Sequence, residues 1–512
     1  MAGFTVYDWA VLLGYFALLA GTGYAFSLRR QRDADDYFLA ARSMPGWAVA
    51  FSVLATSQSA ATFIGAPESA YAGDLTYMSA NIGQFTAALI VAFIFIPAFY
   101  RQRVTTLYEL LETRFGTPSK LAASWMFMVG RLFASGARLF MGSLAMSMVL
   151  FGEVDARTVA LAIGVTTFIG IAYTFVGGIR SIIYTDVIQT VVYVGAAVAA
   201  MIVLLRLIPA DTTQLLDAMR DADKLTWLRT GFEDDWPRQT FTLWTALLGF
   251  TLLNLGFYGT DQDGMQRMLT CRSGAHASRS MIGAMLLGVP VTLLFMVVGL
   301  LLWALYTQPG LAGDALGAPP DRKLEIFLHF IMTRMPPGVR GLMMAGLIAA
   351  ALSSLNSALN AMSSAFVNDV FRPMRRDLSP AAQVWVGRAG VLVFGVLLGG
   401  FAMFCYFWQQ RGAIPLINFA LLVMVFAYSG LVGVFLVVLL TRRGNNISAI
   451  AGLLTGFIVT LVHQPYVFQS LTPEAWHVYA LAFPWQMVVA TGAAFLVCFA
   501  GSPRPSADTM SS

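Results

Sequence analysis

In the stretch Ala350-Ala351-Leu352-Ser353-Ser354-Leu355-Asn356-Ser357, small and hydroxyl-bearing residues recur at three- and four-residue steps. On a helix, Ala350, Ser353, Ser354 and Ser357 share one face. Nothing charged occurs from Leu342 to Asn368, so the row lies inside a segment apolar and long enough to cross a bilayer. Hydroxyls in such a place let helices pack closely, or they offer neutral oxygen ligands to a hard monovalent cation. Both readings stay open on this stretch alone.

Polar groups in three other apolar runs bear on that choice, because each is costly in hydrocarbon. The run Ala55-Thr56-Ser57-Gln58-Ser59-Ala60-Ala61-Thr62 continues through Gly65 and Pro67 to Glu68. Its hydroxyls, Gly and Pro predict a helix broken near Thr56–Ser59, whose freed carbonyls could hold a cation. A Pro-kinked helix packed through small residues is the alternative. The run from Asn254 through Gly256, Gly259, Asp261 and Asp263 to Arg267 is again polar and Gly-interrupted. It predicts a second broken helix, with Asn254 facing a cavity; Asp261, Asp263 and Arg267 either join the site or mark a cytoplasmic helix end. After Gly177 and Gly178, Asp186 sits one or two turns into a helix, as a cation relay or as an interfacial partner of Arg180. Arg131 and Arg138 are seven residues apart and share a helical face. Arg138 is too deep to snorkel, so it needs an internal partner, which is the commoner case, or an anionic substrate.

The elements that position these residues are membrane helices. In 512 residues, 58% are hydrophobic and 12% charged, which excludes an ordinary soluble domain. Apolar runs fall at 6–28, 46–72, 77–100, 119–150, 157–176, 181–207, 240–266, 278–306, 338–370, 383–408, 414–440, 446–464 and 478–500, about thirteen spans by the criterion of roughly twenty residues. The expected fold is an all-α polytopic membrane protein: one transmembrane domain over 1–505, with 506–512 as a disordered cytoplasmic tail. Residues 209–238 are the largest expected external loop. Arg29, Arg30, Arg32, Arg101, Arg103, Arg180, Arg272, Arg279, Arg372, Arg375, Arg376, Arg442 and Arg443 cluster after odd-numbered spans. This predicts an outside N-terminus and a cytoplasmic C-terminus. The net charge of +5 thus reflects topology and not nucleic-acid binding. Preference for Arg over Lys points to a bacterial inner membrane. Cys271, Cys405 and Cys498 are scattered and imply no disulfide framework or metal site. No hydrolase, zincin or phosphate-loop motif occurs, so no enzyme is expected, and no cofactor beyond a co-transported ion.

These residues together resemble the sodium:solute symporters. The resemblance rests on Asp35-Asp36-Tyr37-Phe38-Leu39-Ala40-Ala41-Arg42, Gly177-Gly178 with Thr185-Asp186 and Gln189, Thr260-Asp261-Gln262 with Gln266-Arg267, and the serine helix. It implies a leucine-transporter-like core of 5+5 inverted repeats, about 46–440. It implies a sodium site from the carbonyls of Ala55, Gln58 and Ala350 and the hydroxyls of Ser353 and Ser354. A second sodium would use Asp186, Ser353, Asn356 and Ser357, with Asn356 standing where Ser or Thr is usual. Substrate residues carried over are Thr62, Asn81 and Asn254, with Arg138 for an anionic solute; Phe257, with Tyr258 beside it, is the inner gate. The lysine of some sugar binders would fall near Gly288, and Leu421 to Phe426 are apolar where sugar binders are often polar. The expected function is sodium-driven import of a small polar solute by alternating access, a sugar-like solute being favoured. A carboxylated solute such as sialic acid or a monocarboxylate is the alternative, and a channel or transporter-like sensor the second. The expected partners are sodium, solute and lipid, and one chain is expected to suffice.

Overall fold

The thirteen apolar runs fall on helical segments, 157–176 and 181–207 sharing one kinked helix and 46–72 split into two, in the computed structural model, which describes residues 4–27, 34–230, 235–312, 326–375, 379–412 and 416–502. Arg29, Arg30, Arg32, Arg376 and the tail 506–512 lie outside the described residues. No strand occurs among the described residues; an isolated bridge joins Met44 to Cys271. By length and composition seven helices can cross a bilayer, or eight when the bent pair Gly46–Ser57 and Ala60–Ala72 is taken as one span.

The bent pair is the first broken helix, and its halves meet at 60°. Gln58 (φ −82°, ψ 131°) and Ser59 (φ −135°, ψ 174°) are both extended, so the break falls within the predicted Thr56–Ser59. The cause is local: Ser57 Oγ donates to Leu54 O at 2.8 Å, and hydroxyls of this kind compete with the helical ladder. The break withdraws amide partners from the last carbonyls of the first half. Pro67 lies within the second half without ending it. The second broken helix runs over 245–260, with π-helical turns at Thr245–Phe250 and Gly256–Thr260, and resumes as Gln262–Leu269. Asp261 is extended at the junction, and its carboxylate caps Asp263 N at 2.8 Å.

The serine helix, Val339–Ala365, is the axis of the bundle. Of its most apolar window 94% is buried, against 17% for the N-terminal helix Val6–Phe26. It packs against the kinked helix Ala156–Leu207 and against Thr117–Phe151, which carries Arg131 and Arg138. The kink is at Gly178 (φ 60°, ψ −177°). That conformation suits glycine, and a Cβ there would also lie 3.0 Å from Tyr37 O. The glycine turn thus seats the Asp36-Tyr37 segment, where Arg180 reaches Asp36 at 3.7 Å and Ser43 Oγ at 3.0 Å.

On the opposite side, residues 209–230 fold over the end of the first broken helix. Asp211 and Gln214 form a capping box for Thr212–Asp221. Lys224 Nζ then donates to Tyr71 O (2.9 Å) and Gly73 O (2.6 Å), and Arg229 pairs with Asp74 at 2.8 Å. The second half of that helix, Ala60–Ala72, is also locked sideways. A Cβ on Gly299 of Gly274–Thr307 would lie 2.3 Å from Pro67 O. Gly299→Ala is therefore expected to destabilise the protein by roughly 1–3 kcal/mol through overpacking. A lower melting temperature of the solubilised protein would show it, and an unchanged one would mean the helices separate freely.

Candidate transport site

The two broken helices, the arginine helix and Leu416–Leu440 enclose a polar cavity. Thr62, Asn81, Arg138, Asn254, Phe257 and Tyr258 all line it. The residues assigned to substrate and gate, from four separate helices, are therefore brought together. Ser57, Tyr77, Gln84 and Thr292 line it as well and were not anticipated, while Leu421 and Met424 form an apolar side. Gln84 was within reach of sequence reasoning, since it stands one turn beyond Asn81. Its Nε2 donates to Tyr258 Oη at 2.9 Å. The side-chain amides of Asn81 and Asn254 donate to Met78 O (3.1 Å) and Phe250 O (2.8 Å), within their own helices. This leaves their carbonyl oxygens as acceptors toward the cavity.

Arg138 is 7% exposed. Among the described residues it forms no ion pair: Nη2 lies 3.4 Å from Met424 Sδ, and Nη1 is buried without a hydrogen-bond partner. Internal pairing, the commoner expectation, is not what the structure has. Arg131 takes the carboxylates instead, pairing with Asp261 and lying 3.2 Å from Asp263. Seven residues separate the two arginines along about 10 Å of helix, so acids that reach one do not reach the other. The Phe257 ring lies between them, 5.3 Å from the Arg131 guanidinium carbon and 5.7 Å from that of Arg138.

Asp261, Asp263 and Arg267 are not a solvent-exposed helix end: all three are at most 1% exposed. Asp186 does not pair with Arg180 either. Its Oδ2 accepts from Ser52 and pairs with Arg267 Nη2 at 3.2 Å, and its Oδ1 accepts from Ser353 Oγ at 2.7 Å. Arg267 Nη1 also holds Asp263 at 2.7 Å, and Tyr428 Oη donates to Asp261 at 2.6 Å. Buried charges are tolerable because each is paired and hydrogen-bonded. Most of these partners are far apart in sequence, which is why the sequence alone left both readings of these residues open.

A second, narrow cavity lies beside the break at Gln58–Ser59. Ala55, Gln58, Ala350 and Ser353 line it, together with Gln189, Thr190 and Tyr193. Ser354, which follows Ser353 in the chain, does not line this cavity; it is buried with its Oγ unpartnered among the described residues. Gln58 Oε1, both polar atoms of Gln189, and Tyr193 Oη are buried without partners too. Such atoms are rare in folded proteins, and each orphan costs about 1–3 kcal/mol. A cluster of them points to a ligand that supplies what the protein does not. The Ala350 carbonyl sits in unbroken helix, yet a carbonyl has a second lone pair. Ser353 donates its proton to Asp186 and so keeps lone pairs for a cation. Of the other residues, Ser357 Oγ donates to Ser353 O, and Asn356 Oδ1 is buried, unpartnered, and turned toward Gly170. Neither touches Asp186 by hydrogen bond.

Two interrupted helices meeting around a polar cavity, beside a narrow cavity bordered by unpartnered polar atoms, are the parts of a secondary transporter. A model of the sodium:solute symporter family matches residues 37–456. The chain belongs to that family and is a sodium-coupled symporter. It is 31% identical over 461 residues to the sodium/sialic acid symporter of Proteus mirabilis, covering 89% of this chain and 88% of that one. It is 29% identical over 464 residues to sodium-coupled monocarboxylate transporter 1 of Mus musculus, covering 90% and 73%. The solved structure of a sodium-coupled sialic acid symporter, substrate-bound and outward-open, superposes with a TM-score of 0.80 at 28% identity over 97% of each chain.

Proposed function

We propose that the chain imports a carboxylated polar solute with sodium, and that Arg138 receives the carboxylate. One observation carries this: a guanidinium buried in the solute cavity with no carboxylate of its own. Arginine matches a carboxylate with two parallel hydrogen bonds, and an anion would replace Met424 Sδ, a weak acceptor. The named relatives that carry acids support the same choice. Thr62, Asn81, Gln84 and Asn254 offer hydrogen bonds beyond the carboxylate, so an acidic sugar uses the cavity more fully than a short monocarboxylate. A neutral sugar-like solute is the second reading, favoured by the same four side chains.

Sodium is assigned to the carbonyls of Ala55, Gln58 and Ala350 with the hydroxyls of Ser353 and Ser354, tying the first broken helix to the serine helix. A second sodium through Asp186, Asn356 and Ser357 would compete with Arg267 for the same carboxylate. Phe257 and Tyr258 close the cavity on the inner side. The framework of this reading is a thirteen-span chain, with its N-terminus outside and inverted repeats over about 46–440, working as a monomer in a bacterial inner membrane. The meeting of Arg42 with the Val104 carbonyl, and of Arg114 with that of Thr441, supports the sidedness, because it gathers the basic loops at one end.

The test is uptake into proteoliposomes under inward sodium or potassium gradients, with N-acetylneuraminate, lactate and glucose as solutes. Accumulation of an acid under sodium alone is expected; the membrane potential adds about 2.3 kcal/mol per 100 mV only for each net charge carried across, and so nothing for one sodium with one monoanion. Equal accumulation under both cations would remove the sodium coupling. Uptake of glucose alone would establish the second reading.

A further inference from the structure

The buried ions between the two cavities form one continuous chain: Asp186, Arg267, Asp263, Arg131 and Asp261. At one end, Ser353 of the proposed sodium site donates to Asp186. At the other, the Phe257 ring packs against both guanidinium groups, 5.3 Å from the carbon of Arg131 and 5.7 Å from that of Arg138. Every carboxylate oxygen in the chain faces a hydroxyl, an amide or a guanidinium within 3.2 Å, the surroundings of an ionised acid. Three carboxylates and two guanidinium groups leave a net charge of −1. Arg138, alone beyond Phe257, carries +1.

We propose that this chain acts as a single counter-ion for Arg138, so that the empty site is neutral and sodium with a monoanionic solute binds as a charge-balanced pair. A lone buried guanidinium would cost several kcal/mol; a diffuse negative charge behind an aromatic ring offsets that without occupying the place of the solute. The same charge attracts sodium and opposes the anion. Sodium alone leaves the site positive and the anion alone leaves it negative, so each favours the other. Asp263, in the middle of the chain, faces neither cavity. It is a positioning residue whose charge sets both affinities in opposite directions. The solute half of this inference rests on Arg138 being the anion-binding group; the sodium half does not.

The experiment uses the full-length protein in lipid nanodiscs, with sodium titrated alone and then N-acetylneuraminate and lactate titrated at saturating sodium. Asp263→Asn is expected to weaken sodium about fivefold and to tighten the bound acid by a similar factor, since it removes a negative charge between the two. Asp263→Glu should restore both. Arg138→Gln should tighten sodium severalfold in the absence of solute. Loss of both affinities in Asp263→Asn, or a change in neither, overturns the counter-ion role. So does an unchanged sodium affinity in Arg138→Gln, which decides the matter should Asp263→Asn not fold. Failure of the unaltered protein to bind either acid overturns the carboxylate reading instead, with the sodium shift of Arg138→Gln still judging the counter-ion.

Discussion

Arg138→Gln is expected to reduce uptake of a carboxylated solute by roughly a hundredfold or more, the usual consequence of removing one partner from a buried charge-assisted pair. The glutamine keeps a polar end in the cavity but loses both the charge and the fork. Arg138→Lys should fall between the two, since it keeps the charge without the planar pair of donors. Initial rates in proteoliposomes at saturating sodium check this, with a neutral sugar as the control. If acid uptake falls less than about fivefold, the carboxylate does not sit on Arg138. If the neutral sugar falls equally, the residue shapes the cavity and does not read charge.

Ser354→Ala is expected to raise the sodium concentration for half-maximal uptake about tenfold or more, the scale of one hydrogen-bonding oxygen lost to a charged group. Ser363→Ala, nine residues along the same helix, should leave it within about twofold. Both side chains are buried, at 3% and 0% exposure, so burial does not separate them. Partnership does. Ser354 Oγ has no partner among the described residues, whereas Ser363 Oγ donates to Gly387 O at 2.5 Å and packs on Gly390. Ser363→Ala should therefore appear as lost thermal stability with sodium dependence preserved. Equal sodium shifts in the two variants would mean that Ser354 packs like Ser363 and that the cation lies elsewhere.

The contrast between these serines shows where sequence reasoning reached its end. Spacing alone put Ser353, Ser354 and Ser357 on one face, because helical period is a local property. The break in the first broken helix was legible for the same reason, as hydroxyls competing with the backbone act within a few residues. Asn254 was marked by the cost of an amide in an apolar span and Asn81 by the family resemblance, and Gln84 could have been found by the first route too. Depth marked Arg138 as unable to snorkel, but nothing local decided which of Arg131 and Arg138 meets a carboxylate. They lie on one helix, on one face, in equally apolar surroundings, and only the reach of Asp261 and Asp263 across the bundle pairs the first and leaves the second without a carboxylate. Asp186 was misleading in the same manner: Arg180 is close in sequence, yet the glycine kink carries it away to Asp36 and brings Arg267 in.

By itself, then, the chain's sequence determined that it is a membrane bundle with two interrupted helices and a hydroxyl face on its central span. Those features follow from hydropathy and backbone chemistry within a turn or two. The tertiary structure decided which charge is left free to meet a solute. Electrostatic pairing in a low-dielectric interior depends on distances of a few ångströms between residues hundreds of positions apart, and those distances exist only once the helices are packed.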